Sequence, residues 1–200
     1  MAVAPPDRAA ALLSAVLRRD VEIADPLGVV RGFAEAGWQL DLGDVSAPLS
    51  FAEVDLRRAN RYGARISAAE IAAILERRRA IEAALRAIPP AASLTRSAPW
   101  QPLRQLFDAF ADIRGVGFSK MTKALHPKRP ALIPMLDSVV QRYLEEDDPG
   151  ANAPFGERAL ALVRGYERDL ARNRTALRAI RREVGVSDVR ILDLLIWSVM

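Results

Sequence analysis

The sequence predicts an all-α protein, and three observations lead there. Apolar residues recur at three- and four-residue spacing in most of its segments. Ser-x-x-Glu sequences stand at Ser50–Glu53 and Ser67–Glu70, the form of a capping box that opens a helix. Pro and Gly fall between these segments, and no run alternates clearly enough to predict a sheet. With 200 residues, half of them hydrophobic, the chain can bury a sizeable core as one domain or as two small helical lobes.

Taken in order, residues 8–19 carry Ala11, Leu12, Ala15 and Val16 at helical spacing and read as an amphipathic helix. Asp25-Pro26 then opens a helix over residues 27–36 that stops at Gly37, with Trp38 as a core anchor just beyond. Residues 40–49, with Gly43 and Pro48, read as a loop, and residues 38–42 could hold a short extended piece. Ser50 and Ser67 fix the next two starts. The first of these helices carries Arg57, Arg58 and Arg61 and closes at Gly63; the second runs over residues 68–87 and stops before Pro89-Pro90. Arg77-Arg78-Arg79 reads as a solvated face balanced by Glu76 and Glu82, whereas Arg57 to Arg65 has no acid after Asp55 and makes a second basic patch.

Residues 91–99 form a linker, which divides the chain into an N-terminal helical lobe (1–90) and a second lobe (91–200) whose last helices could pack back on the first as one domain. Trp100 to Ala111 resumes helical spacing. Beyond it, Gly115-Val116-Gly117 predicts a tight hairpin with Val116 as its apolar plug, followed by a helix over residues 118–125. The free amides at the start of that helix, together with those of the hairpin, make an anion site suited to phosphate. Charge agrees with this. The chain has only three lysines, Lys120, Lys123 and Lys128, all within nine residues after the hairpin; Arg114 and Arg129 flank them, and no acid stands between Asp112 and Asp137. Such a window suits a polyanion.

After Pro127, Pro130 and Pro134, Asp137 reads as the N-cap of a further helix, which ends at the acidic run Glu145 to Asp148 and breaks at Pro149-Gly150. That run is expected to be exposed and to face away from a polyanion. A long helix from Phe155 to near Gly185 carries eight arginines between Arg158 and Arg182, and Ser187-Asp188 opens a last helix, apolar nearly all round, that must be buried or form a dimer surface. His126, the single histidine, reads as a helix C-terminal residue that complements the dipole or touches phosphate. The absence of cysteine removes disulfides and thiolate metal sites, so no metal held by side chains is expected. With no signal-like start and no apolar run of membrane length, the reading is a cytoplasmic protein.

Residues 100–145 resemble the helix-hairpin-helix element of the HhH-GPD superfamily of DNA glycosylases: the hydrophobic-Gly-hydrophobic-Gly core at Ile113 to Gly117, then a helix, a Pro-containing apolar segment at residues 130–136, and Asp137, 20 residues after Gly117. The resemblance implies an HhH-GPD-like fold of two helical lobes that binds duplex DNA along its backbone. Gly115, Val116, Gly117, Ser119, Lys120, Lys123, Lys128 and Arg129 would be the DNA contacts, aided by a monovalent cation at the hairpin backbone and no other cofactor. It makes Asp137 the candidate catalytic residue, stabilising positive charge on the sugar as a flipped base leaves. Ser119 stands where bifunctional members carry the Schiff-base lysine, and one residue on a helix is about 100° of rotation, so Lys120 does not inherit that role. An enzyme of this kind would be a monofunctional glycosylase, a hydrolase, and without cysteine it holds no iron–sulfur cluster. Two alternatives stay open: a non-catalytic DNA-binding or regulatory protein, and a helical protein-interaction domain that dimerises through its apolar C-terminal helix.

Overall fold

A computed structural model describes residues 13–38 and 46–200. Among them are ten α-helices and one small two-stranded sheet. The helices are α1 (Pro26–Glu35), α2 (Glu53–Arg61), α3 (Ala68–Glu76), α4 (Arg78–Arg86), α5 (Trp100–Asp108), α6 (Phe118–Leu125), α7 (Ser138–Tyr143), α8 (Phe155–Arg172), α9 (Arg174–Val184) and α10 (Asp188–Val199). One connected set of buried side chains runs from Ala15 to Ile196 and takes in residues from every helix. The 91–99 segment is part of it: Ala92 and Leu94 are buried, and the Leu94 amide donates to Ala131 (3.0 Å). No described helix is long and apolar enough to cross a membrane.

Several starts and stops follow local chemistry. Asp25 caps α1 by accepting from the Gly28 amide (2.8 Å), and Pro26 takes the first position. Ser67 and Glu70 make the reciprocal capping box of α3: the hydroxyl accepts from the Glu70 amide and the carboxylate from the Ser67 amide (3.3 and 2.8 Å). Ser187 caps α10 through the Arg190 amide (3.1 Å), and Gly185 closes α9 in the left-handed conformation.

Other expectations need correction. Residues 13–23 hold no α-helix, only a single 3-10 turn at Arg18–Asp20 between two short strands. Ala15–Val16 (β1) pairs antiparallel with Glu22–Ile23 (β2), and the alternate residues Ala15 and Leu17 are fully buried, a period of two that a short apolar run shares with a helix. Residues 8–12 lie outside the described part, as do residues 39–42 of the proposed extended piece. The Ser50 box is not used: α2 begins at Glu53, and Asp55 takes the reciprocal role by accepting from the Ala52 amide (2.9 Å). The helix expected over 68–87 breaks at Arg77 into α3 and α4.

The one expected from Phe155 to Gly185 breaks at Asn173. There the Asn173 side chain accepts from the Val16 amide (2.7 Å) and donates to the Val16 carbonyl (2.9 Å), standing in for a strand along β1. Trp38 is 41% exposed, an edge-on neighbour of Phe33 and Trp197 (centroids 5.0 and 5.4 Å) instead of a core anchor. The acidic run is exposed at Glu145 and Glu146, as expected, and half-buried at Asp147 and Asp148; it is also paired along its length, Glu145 and Glu146 with Arg19, Asp147 with Arg18 and Arg168, and Asp148 with Arg158. Finally, α10 is covered within the chain, against α1, α9, α7 and α8, with Ile191, Leu192, Leu194, Leu195 and Ile196 fully buried. This leaves the proposed dimer surface without its apolar face.

Candidate functional site

The hairpin and α6 are set in place from three sides. Val116 is buried as the apolar plug and its amide closes the turn on Ile113 (3.0 Å), while Gly115 takes φ +81°, which excludes most other residues. Phe118, the first residue of α6, packs on Phe155 of α8 (4.8 Å) and under the Arg158 guanidinium (5.3 Å). Thr122 fastens the far side: its hydroxyl donates to the Phe118 carbonyl (2.7 Å) and accepts from the Leu136 amide (2.9 Å), which brings the apolar segment and Asp137 alongside α6. Gly117 caps α6 without a side-chain acceptor, so the first amides of the helix keep their hydrogens for an outside partner. Arg114, Gly115 and Gly117 are exposed, and Ser119 is half-buried.

One carboxylate stands in this place that sequence reasoning treated only as a cap. Glu70 reaches from the first turn of α3 to the hairpin, and its Oε1 accepts from Lys120 Nζ at 2.6 Å. A Cβ on Gly115 would collide with the same oxygen, so Glu70 rests directly on the hairpin backbone. Partial burial disfavours its charge, but Lys120 and both groups of Ser67 outweigh this and hold the carboxyl below its usual range. No signal within residues 113–137 announces this partner, which lies 50 residues upstream of Lys120.

The next basic group is assembled by packing. α2 lies against α6, and the connection from α2 to α3 passes over Lys123, with Gly63 taking φ +75° and a Cβ there standing 3.9 Å from Lys123 Nζ. Arg61, the last residue of α2, and Arg65 of that connection are exposed and in no ion pair among the described residues. The patch expected at Arg57 to Arg65 is thus contiguous with α6, though Arg57 itself pairs with Glu53 (2.5 Å). Burial, Arg190 and Arg65 pull the Lys123 ammonium below its usual pKa, against the opposing fields of Asp137 and Asp193. Lys123 is therefore a half-buried cation that faces two carboxylates, Asp137 and Asp193, and two other cations, Arg190 and Arg65.

Two expected contacts go elsewhere. Lys128 is buried: it pairs with Asp55 (2.9 Å), with both side chains almost wholly covered, and also donates to the Ser46 hydroxyl and carbonyl. Arg129 is fully buried and directs its guanidinium at the carbonyls of Leu85 and Ile88 at the end of α4 (3.0 and 2.9 Å) and of Pro48 and Lys128 (3.0 and 2.7 Å). A charge held inside by such bonds cannot reach a phosphate, so both are corrected from contacts to structural cations. His126 needs the same correction. It is 2% exposed, its Nδ1 lies 2.6 Å from the Ile133 carbonyl, and burial drives its pKa to about 4, so at neutral pH it is an uncharged donor that neither complements the dipole nor touches phosphate.

Asp137 is the N-cap of α7, its Oδ1 accepting from the amides of Val139 and Val140 (both 3.1 Å). Its Oδ2 accepts from the Trp197 indole (3.2 Å). Around it the fold gathers groups from distant segments: Lys123 from α6, and Arg190 and Asp193 from α10. Asp193 is 1% exposed, and burial and the field of Asp137 raise its pKa to about 7 against the pull of Arg190, Tyr166 and the Met135 amide. The Tyr166 hydroxyl lies 2.6 Å from the Val189 carbonyl and 3.0 Å from Asp193 Oδ1. Its one hydrogen has two acceptors in reach, the nearer of them the carbonyl.

No curated protein and no solved structure matches the chain. One family model does, described as a family of unknown function (DUF6308), over residues 44–200.

Proposed function

The chain belongs to this family of unknown function, DUF6308, and we propose from its own residues that it binds the sugar-phosphate backbone of duplex DNA. The observation that carries the reading is the meeting of two separately encoded features: the hairpin, with Arg114 and the open amides of α6, and the end of α2 with the connection to α3, which carry Arg61 and Arg65, adjoin one another across Lys123. Backbone amides and cations so arranged contact phosphates and fix register without reading bases. A monovalent cation at the hairpin carbonyls, with duplex DNA as partner, completes the reading that the helix-hairpin-helix resemblance suggests.

The test is affinity for a short duplex against salt. Each lost phosphate contact should lower the magnitude of the log–log slope by about 0.9, so the triple variant Arg61→Ala, Arg65→Ala, Lys123→Ala should lose roughly 2 to 3 units of slope. Equal slopes for the variant and the wild type would refute the placement.

A second reading keeps the same face and adds chemistry, and the gathering of Lys123 and Asp193 about Asp137 favours it. In it the protein is a monofunctional DNA glycosylase, with Asp137 stabilising the sugar cation as the base departs. Asn is as good an N-cap as Asp, so Asp137→Asn separates the cap from the charge. Its abolition of abasic-site formation on a lesion-bearing duplex, with thermal stability unchanged, is the expected result; a wild type that forms no abasic sites across a lesion panel would leave binding alone.

A further inference from the structure

The hairpin is not bare on its Gly115 side. Glu70 Oε1 lies against the backbone of Gly115 and accepts from Lys120 Nζ at 2.6 Å, and Glu70 Oε2 is held by the Ser67 amide at 2.8 Å. A carboxylate on a glycine turn with a lysine across it has the chemistry of a bound phosphate oxygen: negative, planar in its donors' view, and satisfied by an ammonium. Lys120 and Glu70 are both largely covered, their side chains 21% and 14% exposed, so the pair is not a loose surface bridge. Two consequences follow. The charge of Lys120 is cancelled while Glu70 is in place, and a group approaching the hairpin beside Gly115 meets a like charge first.

We infer that Glu70 is an internal stand-in for a backbone phosphate, holding Lys120 and the Gly115 side of the hairpin until a polyanion displaces it. The inference rests on the DNA-backbone reading above and names what regulates that site. A free phosphate ion cannot replace Glu70, because it must break the tethered pair alone; a duplex can, because the contacts at Arg61, Arg65 and Lys123 hold it beside the hairpin while the exchange occurs. The hairpin therefore engages extended phosphodiester chains and rejects single phosphate ions. Displacement also needs little movement of α3, since the Ser67 hydroxyl continues to cap the Glu70 amide (3.3 Å) when the carboxylate swings away.

The experiment is duplex binding against salt for wild type, Glu70→Gln, Lys120→Met and the double variant, with inorganic phosphate as competitor. Gln still accepts from the Ser67 amide, so the capping box and the fold persist, which a thermal melt of each variant verifies. The expected result is that Glu70→Gln binds roughly five- to tenfold tighter, the effect of removing one like charge near a phosphate in solvent-screened surroundings, with a slope steeper by about 0.9 as Lys120 becomes a new contact. In the Lys120→Met background the added slope should vanish, and inorganic phosphate should compete with DNA better in Glu70→Gln than in wild type. Salt-dependent binding by wild type with no change in Glu70→Gln overturns this inference and leaves the backbone reading standing. Absence of salt-dependent binding in both proteins overturns the two together.

Discussion

Two buried groups should set opposite pH dependences that cancel in the wild type. Asp193 has its pKa raised from 3.8 to about 7 and His126 has its own lowered from 6.5 to about 4. Between pH 3.8 and 7 the folded chain keeps the Asp193 proton that the unfolded chain has released, so Asp193 favours the fold below 3.8 and loses that contribution as pH rises to 7. Between 6.5 and 4 the unfolded chain takes up a proton on His126 that the fold refuses, so His126 favours the fold above 6.5 and loses that contribution as pH falls to 4. Each slope is about 1.4 kcal/mol per pH unit, which integrates to about 4 kcal/mol for Asp193 and about 3 kcal/mol for His126.

In the window the two share, the slopes oppose one another. Removing either group should expose the other. Asp193→Asn keeps the shape of a protonated carboxyl, and its stability relative to wild type should climb by about 4 kcal/mol from pH ~4 to ~7. His126→Asn keeps a donor for the Ile133 carbonyl, which His126 Nδ1 meets at 2.6 Å. Its stability relative to wild type should climb by about 3 kcal/mol in the other direction, from pH ~6.5 down to ~4. The assay is urea unfolding at half-unit pH steps, read as the difference from wild type so that all other carboxylates drop out. Parallel wild-type and Asp193→Asn profiles across the window would refute a proton held on Asp193.

Three further outcomes are expected. Asn173→Ala removes both bonds to Val16 and leaves its amide and carbonyl without partners at a covered edge, so it should cost about 2 to 3 kcal/mol in urea unfolding. Its amide protection should fall first at Val16 and Leu17, seen by hydrogen exchange. Arg129→Lys offers one point of donors where a fork now serves four carbonyls, so about 3 to 5 kcal/mol of stability should be lost by chemical denaturation, without recovery at low salt. Lys128→Met strands the Asp55 carboxylate in a covered place and should cost about 3 kcal/mol. The double variant Lys128→Met, Asp55→Asn should regain part of it in a double-mutant cycle by thermal unfolding.

What was legible in the sequence is what neighbouring residues decide. Asp25-Pro26, the Ser67 and Glu70 box, Gly37 and Gly185 after helix ends, and the Val116 plug are all local bargains between a backbone and the next three or four side chains. The misses are decided at long range. Ala15 to Ile23 became a hairpin because Asn173, in a helix break 157 residues downstream of Val16, supplies one edge of it. The candidate site shows the same division. Its hairpin could be read from two glycines, whereas Asp193 and Trp197 reach Asp137 only through the packing of α10, and nothing in the spacing of residues 113–137 points to them.

The charge window shows why a count of basic residues is a poor measure of a binding surface. Five positive charges stand between Asp112 and Asp137 with no acid among them, yet Lys128 is paired with Asp55, Arg129 is enclosed by carbonyls, and Lys120 is paired with Glu70. Of the five, Arg114 and Lys123 remain to meet a ligand. The surface regains strength only because α2 packs on α6 and brings Arg61 and Arg65 beside Lys123. The acids that matter were absent from the window and present in space, contributed by α2 and α3. Asp55 is buried with its lysine and Glu70 sits at the hairpin, so the two neutralisations differ in kind: one is enclosed by the fold, and the other is the one we infer to exchange with a backbone phosphate.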